Sequence, residues 1–294
     1  MYISLWIKQY IKLKSLNCKG TLIDFSTPRV MGIINTTPDS FYDGKKPKDT
    51  DSILHRAEQM LTDGATFLDI GGYSSRPSAK DVSEDEELQR VLPAIEAILK
   101  RFPETLISVD TYRSNVAKES IEHGAAMIND ISAGHLDENM LRTVASLKVP
   151  YIMMHMRGTP KTMQDSKNTE YKNLITDIFY YFTERIAKAR ALGIDDVIID
   201  LGFGFAKTRE QNYELLDQLD VFKKLNTPIL TGISRKSMIY KTLNILPDEA
   251  LNGTTLLHAI ALQRGSNILR VHDVKEAIEC IQLMQELPSF RENV

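Results

Sequence analysis

Cysteine is almost missing: the 294 residues hold two, Cys18 and Cys280, far apart and with no CxxC pair or nearby paired histidines. A disulfide framework and a cysteine-based metal site are therefore excluded, and two reduced thiols in a cytoplasmic protein are expected. No long apolar run occurs either. The first residues contain Trp6, Ile7 and Ile11, but Lys8, Lys12 and Lys14 interrupt them and no small-residue cleavage site follows, so neither export nor a membrane span is expected. The formal net charge is only -3, and the one block of like charge is the acidic stretch 84–87. Nothing there suggests a polyanion-binding surface or a nucleic-acid partner, and the acidic stretch reads as a solvated helix start. No Pro/Gly/Ser-rich linker, shift in composition or short-period repeat divides the chain, which points to one domain.

What the sequence does have is a rhythm. Short apolar runs at 30–35, 67–72, 106–110, 126–130, 151–155, 197–202, 228–234 and 267–273 each end on polar or glycine residues. Near-continuous apolar runs of this length fit parallel strands buried on both faces. Amphipathic segments fall between them. Residues 52–64 place Ile53, Leu54, Ala57, Met60 and Leu61 on one face, 88–99 and 116–121 behave similarly, and 174–192 is the longest. Gly64, Gly124, Gly193 and Gly265 read as helix stops. Eight strand-then-helix units predict an α/β fold of one (β/α)8 TIM barrel, whose chemistry sits at the carboxyl ends of its strands. The runner-up, a doubly wound open sheet, favours a Gly-rich turn after the first strand. Here that strand runs into Asn35-Thr36-Thr37-Pro38-Asp39.

The strand tips carry the chemistry. They read MGIINTTPDSF (31–41), GYSSRP (72–77), SVDT (108–111), IND (128–130), DLGFGFAK (200–207), SRKS (234–237) and RVHD (270–273). Singly, such polar tips are often caps or turns. Together and in this order the chain resembles the dihydropteroate synthases over roughly residues 18–290. The resemblance implies condensation of 6-hydroxymethyl-7,8-dihydropterin diphosphate with 4-aminobenzoate, giving 7,8-dihydropteroate and diphosphate in folate biosynthesis. It also implies an unassigned extension over residues 1–17, a barrel domain over 18–294, small-molecule substrates and a homodimer through outer helices near the carboxyl end.

Each residue can be set against that chemistry. A pterin edge presents N–H groups and a carbonyl, which call for convergent acceptors and a donor. Asp110, Asn129, Asp200 and Lys236 supply these, although Asp110 also reads as a helix cap. Arg270 and His272 alternate on the last strand and are expected to face the diphosphate together. Asn35 offers an amide oxygen to Mg2+, with water and diphosphate filling the remaining positions. By resemblance, Ser75 and Arg76, beside Ser74, close over diphosphate, while Phe41, Pro77 and Phe205 wall the aminobenzoate ring. Backbone amides of 234–237 and the Ser237 hydroxyl are expected to receive its carboxylate.

The implied mechanism is loss of diphosphate followed by attack of the arylamine on a delocalised pterin methylene cation. Electrostatics carries the rate: Arg270, His272 and Mg2+ act on the departing anion, and Asp110 and Asp200 on the cation. No obligatory general base is needed. His155 reads as structural, and Lys207 as either ligand-facing or a plain surface lysine. The second loop departs from the family pattern at Tyr73, Ser75 and Ser78, and Leu201 stands where proline is frequent. Three other readings are a pterin-dependent methyltransferase on the same barrel, a catalytically silent pterin-binding homologue and a barrel enzyme acting on a phosphorylated sugar.

Overall fold

The computed structural model of the chain describes residues 15–36, 50–74 and 81–291. A hairpin of β1 (Ser15–Cys18) and β2 (Thr21–Asp24) comes first. Eight parallel strands follow: β3 (Arg29–Asn35), β4 (Phe67–Gly71), β5 (Leu106–Asp110), β6 (Met127–Asp130), β7 (Tyr151–Met154), β8 (Val197–Asp200), β9 (Ile229–Thr231) and β10 (Ile268–Val271). Each pairs with the next in sequence, and β10 returns to pair with β3 in the register Leu269 with Val30. That closure makes the sheet a barrel and removes the open-sheet alternative. Seven of the eight apolar runs contain one of these strands whole, and β3 begins one residue before its run, at Arg29.

Helices cover the outside, including α1 (Thr50–Thr62), α2 (Glu84–Arg101), α3 (Ser114–Glu122), α4 (Met140–Leu147), α5 (Ser166–Thr169) and α6 (Leu174–Ala191). The expectation that the 174–192 segment is longest needs correction, because α2 and α6 both have 18 residues. Helix α2 starts earlier than its apolar stripe implies because Ser83 caps it, accepting from the Glu86 amide, and four acidic residues face the positive end of the helix dipole. One of those four is not solvated. Glu87 is fully buried and ion-paired to Arg113, since it occupies the same face as Val91, Ala94, Ile95 and Ile98.

The four glycine stops share one geometry. After α3, for example, Gly124 has φ +102° and donates to Ile121 O at 2.9 Å, while Ala125 donates to Ser120 O at 3.0 Å. This pair of bonds satisfies the last carbonyls of the helix, and only glycine adopts that φ without strain.

The hairpin decides which end of the barrel is open. Leu16, Cys18 and Phe25 pack against Met31, Phe67, Met127, Ile152, Ile198, Leu230 and Ile268, sealing the amino-terminal end with apolar side chains worth roughly 1.5–3 kcal/mol each when fully buried. The hairpin begins at Ser15, so the boundary expected between residues 17 and 18 falls inside β1, because Leu16 belongs to this plug. Both cysteines are free and buried, and burial, helped by Asp196, pushes the Cys18 thiol up to about 12. Among the described residues no helix is long and apolar enough to cross a membrane.

Candidate active site

At the open end, alternation along the strands turns every second side chain inward. Arg270, on β10, reaches across the mouth and donates from Nε to Asp69 Oδ2 at 2.6 Å and from Nη2 to Asp110 Oδ2 at 2.8 Å. Asn129, on β6, donates to the same Asp69 oxygen at 3.1 Å. Four strands are thus tied by one guanidinium and one carboxylate. Tyr73, two residues beyond β4, donates its hydroxyl to Asp110 Oδ1 at 3.0 Å.

A second group gathers around bare backbone. A Cβ placed on Gly232 would lie 3.8 Å from Asp200 Oδ2, 3.9 Å from Arg270 Cβ and 4.0 Å from Lys236 Nζ. Asp200 is buried, and its Oδ1 accepts from the Gly202 amide at 2.8 Å. Lys236 donates to Phe203 O, and its Nζ lies 4.9 Å from the centre of the Phe205 ring. The structure therefore brings together Asp110, Asn129, Asp200, Lys236, Arg270 and Phe205.

The charges are held away from water. Burial pushes Asp110 up to about 7, with Arg270 opposing and Asp69 adding to the rise. Burial raises Asp200 as well, against Lys236, and draws Lys236 down to about 8 against the pull of Asp200. For Arg270 burial works against the charge, yet Asp69 and Asp110 carry it above its ordinary value. The mouth is consequently a set of opposed, desolvated charges, suited to a flat polar ligand that offers both donors and acceptors.

Arg270 and His272, expected to face the diphosphate together, have different partners. Arg270 is taken up by two carboxylates. His272 lies just beyond β10, with Nδ1 3.0 Å from Ser234 Oγ, which also accepts from the His272 amide at 3.2 Å. Burial, then Arg270, lowers it to about 4, so the ring is neutral at physiological pH. Next to it Arg235 makes a two-pronged ion pair with Asp273, both bonds at 2.8 Å, pinning the 234–237 loop to the end of β10. Ser237 opens helix α8 (Ser237–Leu243 in chain order after α7, Arg209–Asp217), with Lys236 at the N-cap.

Sequence reasoning missed Asp69, which is fully buried and whose Oδ1 has no hydrogen-bond partner. An acid in the middle of the β4 run Phe-Leu-Asp-Ile-Gly is the signal that could have found it. Lys207 is not a surface residue. It is buried, donating to Gly202 O and Phe205 O at 3.0 Å each and lying 3.1 Å from His155 Nδ1. Burial holds its ammonium well below the usual lysine range, against Asp200. His155 is buried and stands edge-to-face with Tyr181, centroids 4.7 Å apart.

Asn35 ends β3. Its Oδ1 would be 3.7 Å from a Cβ on Gly71, where Asp110 Oδ2 would be 3.9 Å away. Among the described residues no three His, Cys, Asp or Glu side chains form a metal-binding group. A hard amide oxygen beside a carboxylate nevertheless fits Mg2+, which keeps several waters and draws ligands from substrate phosphates. Phe41, Ser75, Arg76 and Pro77 lie outside the described residues.

The model for pterin binding enzymes matches residues 31–272. The dihydropteroate synthase of Escherichia coli (strain K12) is 44% identical over 281 residues, covering 95% of this chain and 98% of that protein. A solved structure of Yersinia pestis dihydropteroate synthase with a sulfonamide drug complex has a TM-score of 0.87 at 42% identity, covering 92% of this chain and 98% of that one. Xanthomonas albilineans dihydropteroate synthase with 4-aminobenzoic acid gives 0.86 at 36% identity, covering 94% and 98%. With an eight-stranded closed barrel whose mouth collects the acceptors and donors a pterin edge requires, the chain belongs to the pterin-binding enzymes and, within them, to the dihydropteroate synthases.

Proposed function

We infer that the barrel mouth seats the pterin ring of 6-hydroxymethyl-7,8-dihydropterin diphosphate and presents its methylene carbon to 4-aminobenzoate. Bond formation from the aryl nitrogen to that carbon, cleavage of the bond to diphosphate and loss of one nitrogen proton give 7,8-dihydropteroate. The observation that carries this reading is the convergence of Asp200, Lys236 and Arg270 on the bare backbone of Gly232, with Asp110 and Asn129 joined to the same network.

Asp110, Asn129 and Asp200 are the acceptors for the ring N–H groups, and Lys236 is the donor to its carbonyl. As the carbon–oxygen bond breaks, positive charge spreads over the pterin, and the buried carboxylates stabilise it more strongly than water would. Neutral His272 offers a hydrogen bond to the departing diphosphate, and Arg270 holds both acids in place while supplying positive field. Phe205, beside the Lys236 ammonium, is suited to flank the aminobenzoate ring, with Ser237 toward its carboxylate. Ser75 and Arg76 are assigned to the diphosphate on resemblance alone. Mg2+, held through Asn35, water and diphosphate oxygens, would supply charge neutralisation of the leaving group.

A homodimer through the outer helices near the carboxyl end is supported by the exposed Leu256, Leu283 and Leu287, and sedimentation of the purified chain tests it. A cytoplasmic location rests on the two unpaired cysteines. The methyltransferase and silent-homologue readings are not favoured, since the relatives are synthases along nearly their whole length. The test is diphosphate release with and without 4-aminobenzoate and Mg2+, coupled to detection of dihydropteroate. Product that needs all three components supports the reading; pterin binding without turnover sinks it.

A further inference from the structure

We propose that Tyr73 is a positioning residue of the pterin site, its hydroxyl fixing the Asp110 carboxylate in the orientation that the ring N–H groups meet. The proposal rests on the pterin reading of the mouth. Asp110 is gripped from two sides: Tyr73 donates to Oδ1 at 3.0 Å and Arg270 to Oδ2 at 2.8 Å. Donors on both oxygens, coming from β10 and from the loop after β4, oppose rotation of the carboxylate about its Cβ–Cγ bond. A carboxylate has about four acceptor sites, so each oxygen still has room for a ligand donor. The grip does not block the site.

The hydroxyl is itself held in place. The Tyr73 ring stands edge-to-face against Tyr112, with centroids 5.2 Å apart and planes at 87°. Arg113 lies 5.1 Å from the centre of Tyr112. That guanidinium is anchored by buried Glu87 of α2 and by Val82 O, at 2.6 Å. A line of packed groups therefore runs from an outer helix to one oxygen of a pterin acceptor.

Tyr73→Phe deletes the donor and keeps the ring contact with Tyr112. Steady-state rates are measured with each substrate varied in turn, and pterin affinity by fluorescence quenching where turnover is slow. The expected result is a rise in KM for the pterin diphosphate of roughly fivefold to tenfold, with the KM for 4-aminobenzoate and the melting temperature unchanged. In an Asp110→Ala background the same substitution has little further effect, because no side-chain oxygen is left at position 110 for the hydroxyl to hold. An unchanged pterin KM, an equal rise in both KM values, or an undiminished effect in the Asp110→Ala background overturns the proposal. Wild-type protein that forms no dihydropteroate would instead remove the pterin reading beneath it.

Discussion

Arg270 Nε donates to Asp69 Oδ2 at 2.6 Å, joining strands that lie 201 residues apart in sequence. Asp69 is fully buried and the Arg270 side chain largely so. Removing one member of a buried pair leaves the other uncompensated, usually at 3–5 kcal/mol. In Asp69→Asn the shape is kept and Asp110 still holds Arg270, so the expected loss of stability lies near the lower bound, about 3 kcal/mol. Urea denaturation measures it. A loss below about 1 kcal/mol would place this pair with exposed ion pairs, which contribute little.

Gly202 sits where the chain leaves β8 for the loop that carries Phe205 and Lys207. Its φ is +70°, and an added Cβ would fall 2.1 Å from the His155 carbonyl oxygen. Backbone cannot give way as a flexible side chain would. Gly202→Ala should therefore lose on the order of 3 kcal/mol, from overpacking and left-handed strain together. Asp200 loses its amide donor in the process, so pterin affinity falls with stability. A variant with wild-type stability and affinity would show that the loop relaxes without consequence.

His272 makes the fold sensitive to acid. The unfolded chain takes up this proton near the ordinary value of 6.5, while the folded chain resists it down to about 4, through burial and then Arg270. Between those values the unfolded state binds more protons. The stability gained from neutral His272 is complete above pH 6.5 and is lost as the pH falls toward 4. Relative to His272→Asn, the wild-type chain should lose about 2 kcal/mol between pH 7.5 and pH 5. Paired denaturation curves at the two values measure this, and a constant difference would mean that His272 titrates normally.

Much of this molecule was legible in its residues, for identifiable reasons. The strands announced themselves because parallel strands buried on both faces need apolar runs, and the helix ends because Gly124 and its counterparts alone tolerate the closing φ. Asp110, Asn129, Asp200, Lys236 and Arg270 stood out as charges or amides at strand tips. Asp69 did not, since it lies within a run and gains its meaning only when the barrel closes and β10 faces β4. Glu87 read as part of a solvated acidic start, although its spacing to Val91 and Ile98 puts it on the buried stripe of α2. Burial of Lys207 depends on a tight loop folding over it, and composition carries no trace of that.

The measurement that bears most directly on the site is pterin affinity of the wild-type chain and of Asp200→Ala, followed by quenching of pterin fluorescence. If the pterin edge sits as proposed, removing the Asp200 carboxylate leaves a ligand N–H without its acceptor and Lys236 without the carboxylate that most favours its charge. Affinity should fall roughly fivefold to 150-fold, the equivalent of about 1–3 kcal/mol. Unchanged affinity in a folded variant would contradict the placement of the pterin edge at this end of the barrel.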